Sequence, residues 1–171
     1  MIIGILSDTH GNTTRTATAA ALLQVHQVAA VIHCGDIGNE AVLLELSGAF
    51  APAGVPVYCV PGNVDYEPDL RRVQERSGVT LLDRFGDITL DGKRIAIAHG
   101  HDPARLRNAK NDGRYDYVLT GHTHQMEDSR IGGTRIINPG AVHRASEPSV
   151  AVLDTARDEV QFIPLFDGAR V

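Results

Sequence analysis

The sequence has few of the residues that build disulfide frameworks, thiolate zinc sites or membrane spans. Its two cysteines, Cys34 and Cys59, lie far apart and form no CxxC pair, so neither a disulfide framework nor a thiolate metal site is indicated. We interpret both as small buried hydrophobic residues. No apolar run approaches the roughly 18 residues that a membrane span needs. The opening segment, MIIGIL, follows no basic stretch, and we expect a cytoplasmic protein.

An excess of positive charge is also absent. The 16 lysine and arginine residues are outnumbered by 21 aspartate and glutamate residues, which leaves a net charge of −5. Such a balance gives no general attraction for nucleic acid or anionic membranes. No basic stripe or run of stacking aromatic residues compensates for it. We therefore expect neither a nucleic-acid polymer nor a membrane as a partner, and any recognition of phosphate must be local.

The chain does contain enough apolar residues for a core. It has 171 residues, of which 43% are hydrophobic and 22% are charged, as is usual for one globular domain. No internal repeat, low-complexity segment or long polar linker divides it. We predict a single domain over residues 1–171.

Short apolar runs rich in β-branched residues predict strands along the chain. These runs lie at 2–6, 29–34, 56–60, 94–99, 117–120, 134–138 and 149–154. The alanine- and leucine-rich segment 13–28 predicts a helix that crosses over between two parallel strands. Beyond about residue 80 the main helix candidate is 103–112, and the segments LDGKR and RIGGTR indicate turns between successive strands. The sequence therefore predicts an α/β fold with mixed sheets.

Metal-binding side chains follow five of the predicted strands, in the segments SDTHGN, GDIGNE, PGNVDYE, HGH and GHTH. Ligands of α/β sheets bind beyond the carboxyl ends of the strands. Carboxylates, imidazoles and an amide, without thiolates, suit divalent ions such as Mn²⁺, Fe²⁺, Ni²⁺ or Zn²⁺. The donors are too many for one ion, so we predict a two-metal site in which one carboxylate bridges. They are Asp8, His10, Asp36, Asn63, His99, His122 and His124.

The ordered blocks DTH, GD, GN, HGH and GHTH, between residues 8 and 124, resemble the calcineurin-like metallophosphoesterase superfamily. The small size, the HGH form of the fourth block and the NPG at 138–140 look most like the compact YfcE-type phosphodiesterases. The resemblance implies a four-layer fold, with two mixed β-sheets sandwiched and flanked by helices. It also implies the division of ligands: Asp8, His10 and His124 for one ion, Asn63, His99 and His122 for the other, and Asp36 as the bridge.

The resemblance further implies a metal-dependent phosphodiesterase that hydrolyses a small phosphodiester. Two ions about 3.5–4 Å apart hold a bridging hydroxide that attacks phosphorus in line. Mn²⁺ is the expected metal, with Ni²⁺, Fe²⁺ or Zn²⁺ as alternatives. Two divalent ions, two aspartates and the hydroxide leave a first shell of about +1, which attracts a phosphodiester. Histidine ligands must be neutral, so activity should fall in acid.

One position departs from the family pattern. Many members carry a histidine directly after the G-N pair, as the proton donor to the leaving group, and this chain has Val64 there. Asp65 is a candidate donor, or else holds a ligand or a loop. His101 is a candidate catalytic residue and phosphate contact, and Arg144 is a second candidate contact.

Two other functions are compatible with these residues. A phosphomonoesterase would use the same ligands, and a non-catalytic scaffold related to a retromer subunit would share the fold. The complete ligand set favours an enzyme. For His26, His33 and His143 we expect structural or solvent-facing roles. Assembly into a homo-oligomer also stays open.

Overall fold

The computed structural model describes residues 1–165, apart from the side chain of Glu75. In this part of the chain the helices are α1 (Thr13–Val25), α2 (Glu40–Phe50), α3 (Glu67–Ser77) and α4 (Pro103–Asn111), with a short 3₁₀ turn at Ala51–Ala53. The strands are β1 (Ile2–Leu6), β2 (Ala30–His33), β3 (Val57–Cys59), β4 (Thr80–Leu81), β5 (Phe85–Leu90), β6 (Lys93–Ala98), β7 (Tyr117–Leu119), β8 (Met126–Ile131), β9 (Thr134–Pro139), β10 (Ser149–Asp154) and β11 (Glu159–Pro164).

The strands form two mixed sheets, as predicted. The first has the order β11-β10-β1-β2-β3-β4, in which β1 to β4 are parallel and β10 and β11 are antiparallel. The second has the order β5-β6-β7-β9-β8, in which β6, β7 and β9 are parallel and the outer strands are antiparallel. Parallel neighbours place their carboxyl ends at the same edge of each sheet.

Apolar side chains that alternate between the two faces of each strand hold together four layers, two sheets at the centre and helices on each outer side. In β1, Ile3 and Ile5 pack between the two sheets, whereas Leu6 packs toward the helices α1 to α3. Gly4 shares that helix-facing side, and its missing side chain lets Leu23 of α1 lie directly on the strand. In β7, Val118 packs on the opposite side of the second sheet, in a cluster with Ala109 of α4. Successive apolar side chains of a strand therefore pack on opposite faces, so that both faces of each sheet are buried.

The predicted elements are present with small shifts at their ends. The strands at 2–6 and 149–154 match residue for residue, and the others differ by one residue at one or both ends. The helix predicted over 13–28 ends at Val25, because Gln27 has a left-handed backbone with φ 52° and reverses the chain. The structure adds α2, α3, β4, β5, β8 and β11, which the sequence patterns did not identify. None of the helices within residues 1–165 is long and apolar enough to cross a membrane.

Candidate metal centre

The candidate ligands lie in the loops that follow β1, β2, β3, β6 and β7, at one edge of the sandwich. Hydrogen bonds join these loops within and between the sheets. The N–H of Asp8 donates to the carbonyl of Gly35 at 2.9 Å, and that of Gly121 donates to the carbonyl of His99 at 3.0 Å. The N–H of His122 donates to Oδ2 of Asp8 at 3.1 Å and so links the second sheet to the first. The two sheets therefore contribute to one centre.

Asp8, His10 and His124 form the first cluster of donor atoms. Oδ1 of Asp8 lies 3.1 Å from Nε2 of His124 and 3.8 Å from Nε2 of His10, and the two Nε2 atoms are 3.3 Å apart. Ligands about 2.0–2.2 Å from a common ion are roughly 3–3.6 Å from one another. Two of the three distances lie in this range and the third, 3.8 Å, is slightly longer, so the three atoms can share a divalent ion.

Asp36 belongs to a second cluster, with Asp8 and His99, and it also faces His10 of the first cluster. Its Oδ2 is 3.9 Å from Nε2 of His10, whereas its Oδ1 is 3.2 Å from Nε2 of His99. One carboxylate thus presents a different oxygen to each of two histidines. This is the arrangement that a bridging ligand requires.

The charges of the cluster hold its carboxylate ionised. Burial works against ionisation of Asp36, but contact with His99 and the N–H of Val64 hold the pKa of Asp36 to about 2. Burial also opposes protonation of His99, yet the carboxylates of Asp36 and Asp8 raise the pKa of His99 above its ordinary value. For His10, burial outweighs the same carboxylates and lowers the pKa. Asp36 is therefore negatively charged at neutral pH, with His99 beside it at 3.2 Å.

Two buried polar atoms of the centre lack hydrogen-bond partners within residues 1–165. They are Oδ1 of Asp8 and Nε2 of His99. A buried polar group without a partner costs about 1–3 kcal/mol, and more when it is charged. Both atoms belong to the clusters described above. A carboxylate oxygen and an imidazole nitrogen are both common ligands of divalent ions. The residues present therefore fit metal ions at this centre.

Outer hydrogen bonds fix which nitrogen of each imidazole faces the centre. Nδ1 of His124 lies 3.1 Å from the carbonyl of Arg144, and Nδ1 of His99 lies 2.9 Å from the carbonyl of Cys34. A carbonyl only accepts, so each Nδ1 must carry the proton. With Nδ1 bound to a carbonyl, each ring turns its Nε2 toward the carboxylates. Histidine ligands of metals are held in this way.

Five of the seven candidate ligands have a left-handed backbone. The φ angles are 57° at Asp8, 46° at His10, 54° at Asp36, 70° at His122 and 58° at His124. For residues other than glycine this conformation costs about 1–2 kcal/mol each. Such strain persists only where the surrounding structure imposes it, and it concentrates at functional sites.

Asn63 lies beside Asp36 in the turn after β3, with an exposed side chain. The N–H of the next residue, Val64, donates to Oδ1 of Asp36 at 3.2 Å. A Cβ atom on the preceding residue, Gly62, would lie 2.1 Å from the same oxygen, so only glycine lets this turn approach the carboxylate. The turn therefore carries Asn63 to the edge of the second cluster.

Comparison with known proteins identifies the family. Residues 1–158 match the model of the calcineurin-like phosphoesterase superfamily domain. The chain belongs to this superfamily. It is also 31% identical to phosphodiesterase MJ0936 of Methanocaldococcus jannaschii over 172 residues, which covers 96% of this chain and 99% of that protein.

Solved structures agree with this family and with the predicted fold. The structure of an archaeal phosphodiesterase superimposes with a TM-score of 0.87 at 30% identity, and covers 96% of this chain and all of the other. YfcE, a phosphoesterase from E. coli, superimposes with a TM-score of 0.68 at 19% identity, over 97% of this chain and 100% of its own. The predicted resemblance to compact phosphoesterases is confirmed.

Asp65 of this phosphoesterase joins two loops of the centre. Its Oδ2 accepts from the N–H groups of Gly62 at 2.7 Å and Ile37 at 3.0 Å, and its Oδ1 accepts from that of Gly38 at 2.7 Å. These donors follow Asp36 and precede Asn63 in the chain. The contacts favour the loop-holding alternative for Asp65 over the role of proton donor.

His101 and His122 surround His99 on the open side of the second cluster. The ring centroids of His99 and His122 are 5.0 Å apart, and that of His101 lies 5.6 Å from His99 and 6.5 Å from His122. Nδ1 of His101 is buried and has no hydrogen-bond partner within the described chain. Burial and the charge of His99 lower the pKa of His101, so its ring is neutral at pH 7. His101, with Arg84 and Arg105, lines a cavity of about 260 Å³ beside His99.

Several residues that support the centre were not identified as candidates from the sequence. Nδ2 of buried Asn138 donates to the carbonyl of Gly121 at 2.8 Å and contacts Oγ1 of Thr123 at 3.0 Å, which holds the GHTH loop. In the sequence, Asn138 could have been recognised as a polar residue directly after the apolar part of a predicted strand. Buried His33 accepts from the N–H of Gly35 at 3.1 Å and contacts Oγ1 of Thr9 at 3.0 Å. His33 therefore ties the loops of the first two strands together.

Proposed function

We propose that this phosphoesterase is a metal-dependent phosphodiesterase that hydrolyses a small phosphodiester with two divalent ions, Mn²⁺ by preference. The observation that supports this most is the position of Asp36, whose two oxygens face His10 at 3.9 Å and His99 at 3.2 Å. A carboxylate placed in this way can hold two ions at once. We assign Asp8, His10 and His124 to one ion and Asn63, His99 and His122 to the other.

Two bound ions supply Lewis acidity at the phosphoryl oxygens and a hydroxide nucleophile at neutral pH. The residues of the chain provide the geometry. Asp36 sets the separation of the two positions, and the carbonyls of Cys34 and Arg144 orient His99 and His124. The lowered pKa of His10, caused by burial, keeps its ring neutral and able to bind metal at pH 7.

Many family members carry a histidine directly after the G-N pair, where it can protonate the leaving group. This chain has Val64 at that position, and valine cannot donate a proton. The carboxylate of Asp65 already accepts three N–H groups, so we assign it to holding the loops of Asp36 and Asn63. His101, which is neutral at pH 7, is assigned to the substrate phosphate or the leaving oxygen. Without a strong acid, diesters with good leaving groups should react fastest.

Two alternatives use the same fold. A phosphomonoesterase would keep all ligands and differ in what meets the second ester group. A scaffold would not need five strained residues around buried, unpartnered donor atoms. The strain and the unpartnered atoms favour an enzyme. Mn²⁺ as native metal and a cytoplasmic location stay predictions.

The test compares a chromogenic phosphodiester with its matching monoester. Chelator-stripped protein is assayed with and without Mn²⁺, together with Asp36→Asn and His124→Ala. Asp83→Asn and His26→Ala, whose side chains lie outside the centre, serve as matched controls. We expect Mn²⁺-dependent cleavage of the diester that is lost in the first two variants and kept in the controls.

Three outcomes are informative. Preference for the monoester would replace the proposal by a phosphomonoesterase. Turnover that persists in Asp36→Asn would contradict the bridging role. No turnover with any divalent ion, although ions bind, would leave the scaffold as the better explanation.

A further inference from the structure

The loop between β9 and β10 borders the first cluster. The N–H of Val142 donates to the carbonyl of Ser7 at 3.0 Å, and that of His143 donates to the carbonyl of Asp8 at 3.1 Å. At the next residue, Arg144, the backbone turns left-handed with φ 60°, and its carbonyl meets His124. This loop is therefore fixed against the centre by its backbone.

Four polar side chains beside the first cluster carry no negative charge, whereas the acid of this loop, Glu147, lies three residues beyond Arg144. We call Asn12, Arg15, His143 and Arg144 the Arg144 flank. Nδ2 of Asn12 lies 3.4 Å from Nδ1 of His143, and Nη1 of Arg15 donates to the carbonyl of Val142 at 3.4 Å. Arg144 itself borders the first cluster, because its carbonyl lies 3.1 Å from Nδ1 of His124.

Arg144 differs from other arginines near the centre. Within residues 1–165, no carboxylate lies within 4.0 Å of its guanidinium, and the side chain is exposed. On the opposite side, beside His101, Arg84 lies 2.7 Å from Glu67 and Arg105 lies 3.6 Å from Asp102. The arginines of the His101 side are thus matched by acids, whereas Arg144 is not. The end of the centre beside Arg144 therefore carries a positive charge that no acid among residues 1–165 pairs with.

The proposed function does not use this charge. Two divalent ions, the carboxylates of Asp8 and Asp36 and a hydroxide sum to about +1, which one phosphodiester anion neutralises. The guanidinium of Arg144 then remains without a counter-charge among the described residues and the reacting group. A backbone conformation that disfavours any side chain is nevertheless occupied by the largest cation. Glycine would satisfy the backbone, so the side chain itself needs a role.

We infer that the Arg144 flank binds a second anionic group, a phosphate or carboxylate, carried by one ester substituent of the diester. The inference rests on the proposed function and narrows its substrate to diesters with an additional negative charge. Arg144 provides the charge, and Asn12 and His143 provide further polar contacts. The other substituent lies toward His101, where the cavity of about 260 Å³ carries arginines already paired with acids.

The test uses two p-nitrophenyl propyl phosphodiesters that differ only at the far end of the propyl chain, which is a hydroxyl in one and a phosphate in the other. The Mn²⁺-loaded protein is compared with Arg144→Gln, which removes the charge, and with Arg144→Lys, which keeps it. Arg157→Gln, an exposed arginine in the turn after β10, is the control. The measured quantity is the ratio of kcat/KM for the phosphate-ended substrate to that for the hydroxyl-ended one.

We expect a ratio of about ten in the parent protein, the effect of one partly exposed charge-assisted hydrogen bond. The ratio should fall to about one in Arg144→Gln, mainly through KM, and should largely persist in Arg144→Lys and Arg157→Gln. A parent ratio near one would overturn the inference alone. An equal loss with both substrates in Arg144→Gln would instead assign Arg144 to the reacting phosphate. No turnover of either substrate would overturn the proposed function and this inference with it.

Discussion

Residues other than glycine with a left-handed backbone form two groups in this molecule, and the groups differ in what the conformation achieves. Gln27, Asp91 and Asp158 lie at the end of a helix and in hairpin turns, with φ between 52° and 55°. There the conformation reverses the chain. The second group consists of Arg144 and five of the candidate ligands, all of which lie in the loops of the metal centre.

The left-handed turns contribute to stability, whereas we expect the left-handed residues of the metal centre to reduce it. A turn such as Asp91-Gly92 stabilises the hairpin of β5 and β6, and the Asp91 carboxylate also contacts the amino group of Met1 at 2.8 Å. The strained residues of the centre instead bring carboxylates and imidazoles together around unpartnered atoms. We expect this arrangement to lower the free energy of unfolding of metal-free protein and bound metal to offset the loss.

The largest effect is expected from His124→Gly. Glycine relieves the backbone at φ 58° but removes a donor atom. The affinity for Mn²⁺ should fall by more than about 100-fold, because loss of an outer partner of a ligand alone costs about 10–100-fold. The free energy of unfolding in chelator should not decrease. Calorimetric Mn²⁺ titration and urea unfolding in EDTA measure the two quantities.

The matched control is His26→Gly, at a position with an ordinary φ of −82° at the end of α1. This variant should keep its Mn²⁺ affinity and lose about 0.5–1 kcal/mol of stability. If His124→Gly lost as much stability in chelator as His26→Gly, the backbone at position 124 would not be strained.

The second prediction concerns His33, which holds the strained loops through Thr9 and Gly35. Burial, with a smaller contribution from the charge of His99, lowers the pKa of His33 from 6.5 to about 3. Below pH 6.5 the unfolded chain therefore binds one more proton than the folded chain. Stability from this group is complete above pH 6.5 and is lost as the pH falls toward 3, by about 1.4 kcal/mol per unit.

Urea unfolding of the metal-free protein between pH 7 and pH 5 measures this slope, with His33→Gln as the comparison. The variant lacks the titrating ring, so its stability should depend less steeply on pH, whatever its absolute value. Equal slopes in the two proteins would show that His33 is protonated in the fold or does not control its acid stability.

The smallest effect is expected from Gln27→Gly, in the first group. Its side chain is exposed, and the turn after α1 needs only the backbone conformation with φ 52°. Relief of the strain, less the added entropy of the unfolded chain, should raise the free energy of unfolding by about 0.5–1 kcal/mol. Diesterase activity and Mn²⁺ affinity should not change. A loss of stability would mean that the two groups do not share the same backbone cost.

The sequence predicted the buried parts of the fold better than its edges. Strands such as β1 and β10 are packed on both faces, so their apolar pattern is strong. In contrast, β8 has the sequence MEDSRI and lies at the edge of the second sheet with mostly exposed side chains. Its stability comes from backbone pairing with β9, which leaves no hydrophobic period to detect. The helix α3, rich in charged residues, was missed for a similar reason.

The candidate ligands could be proposed from residue type and order, but their conformations could not. Aspartate and histidine occur in many backbone conformations, so DTH and GHTH do not reveal the left-handed angles at Asp8 and His124. The loop contacts of Asp65 depend on Ile37 and Gly38, nearly 30 positions earlier in the chain. Such contacts form only when parallel strands place their ends together.

The number of metal ions bound per chain tests the two-metal centre, and the bridging role of Asp36 within it, most directly. Chelator-stripped protein and Asp36→Asn are titrated with Mn²⁺ by calorimetry, and bound metal is measured after dialysis. A two-metal centre bridged by Asp36 predicts two ions per chain in the parent protein and, in Asp36→Asn, the loss of at least one with weaker binding of the other. A single ion per chain in the parent, or two ions bound equally well without the Asp36 carboxylate, would contradict it.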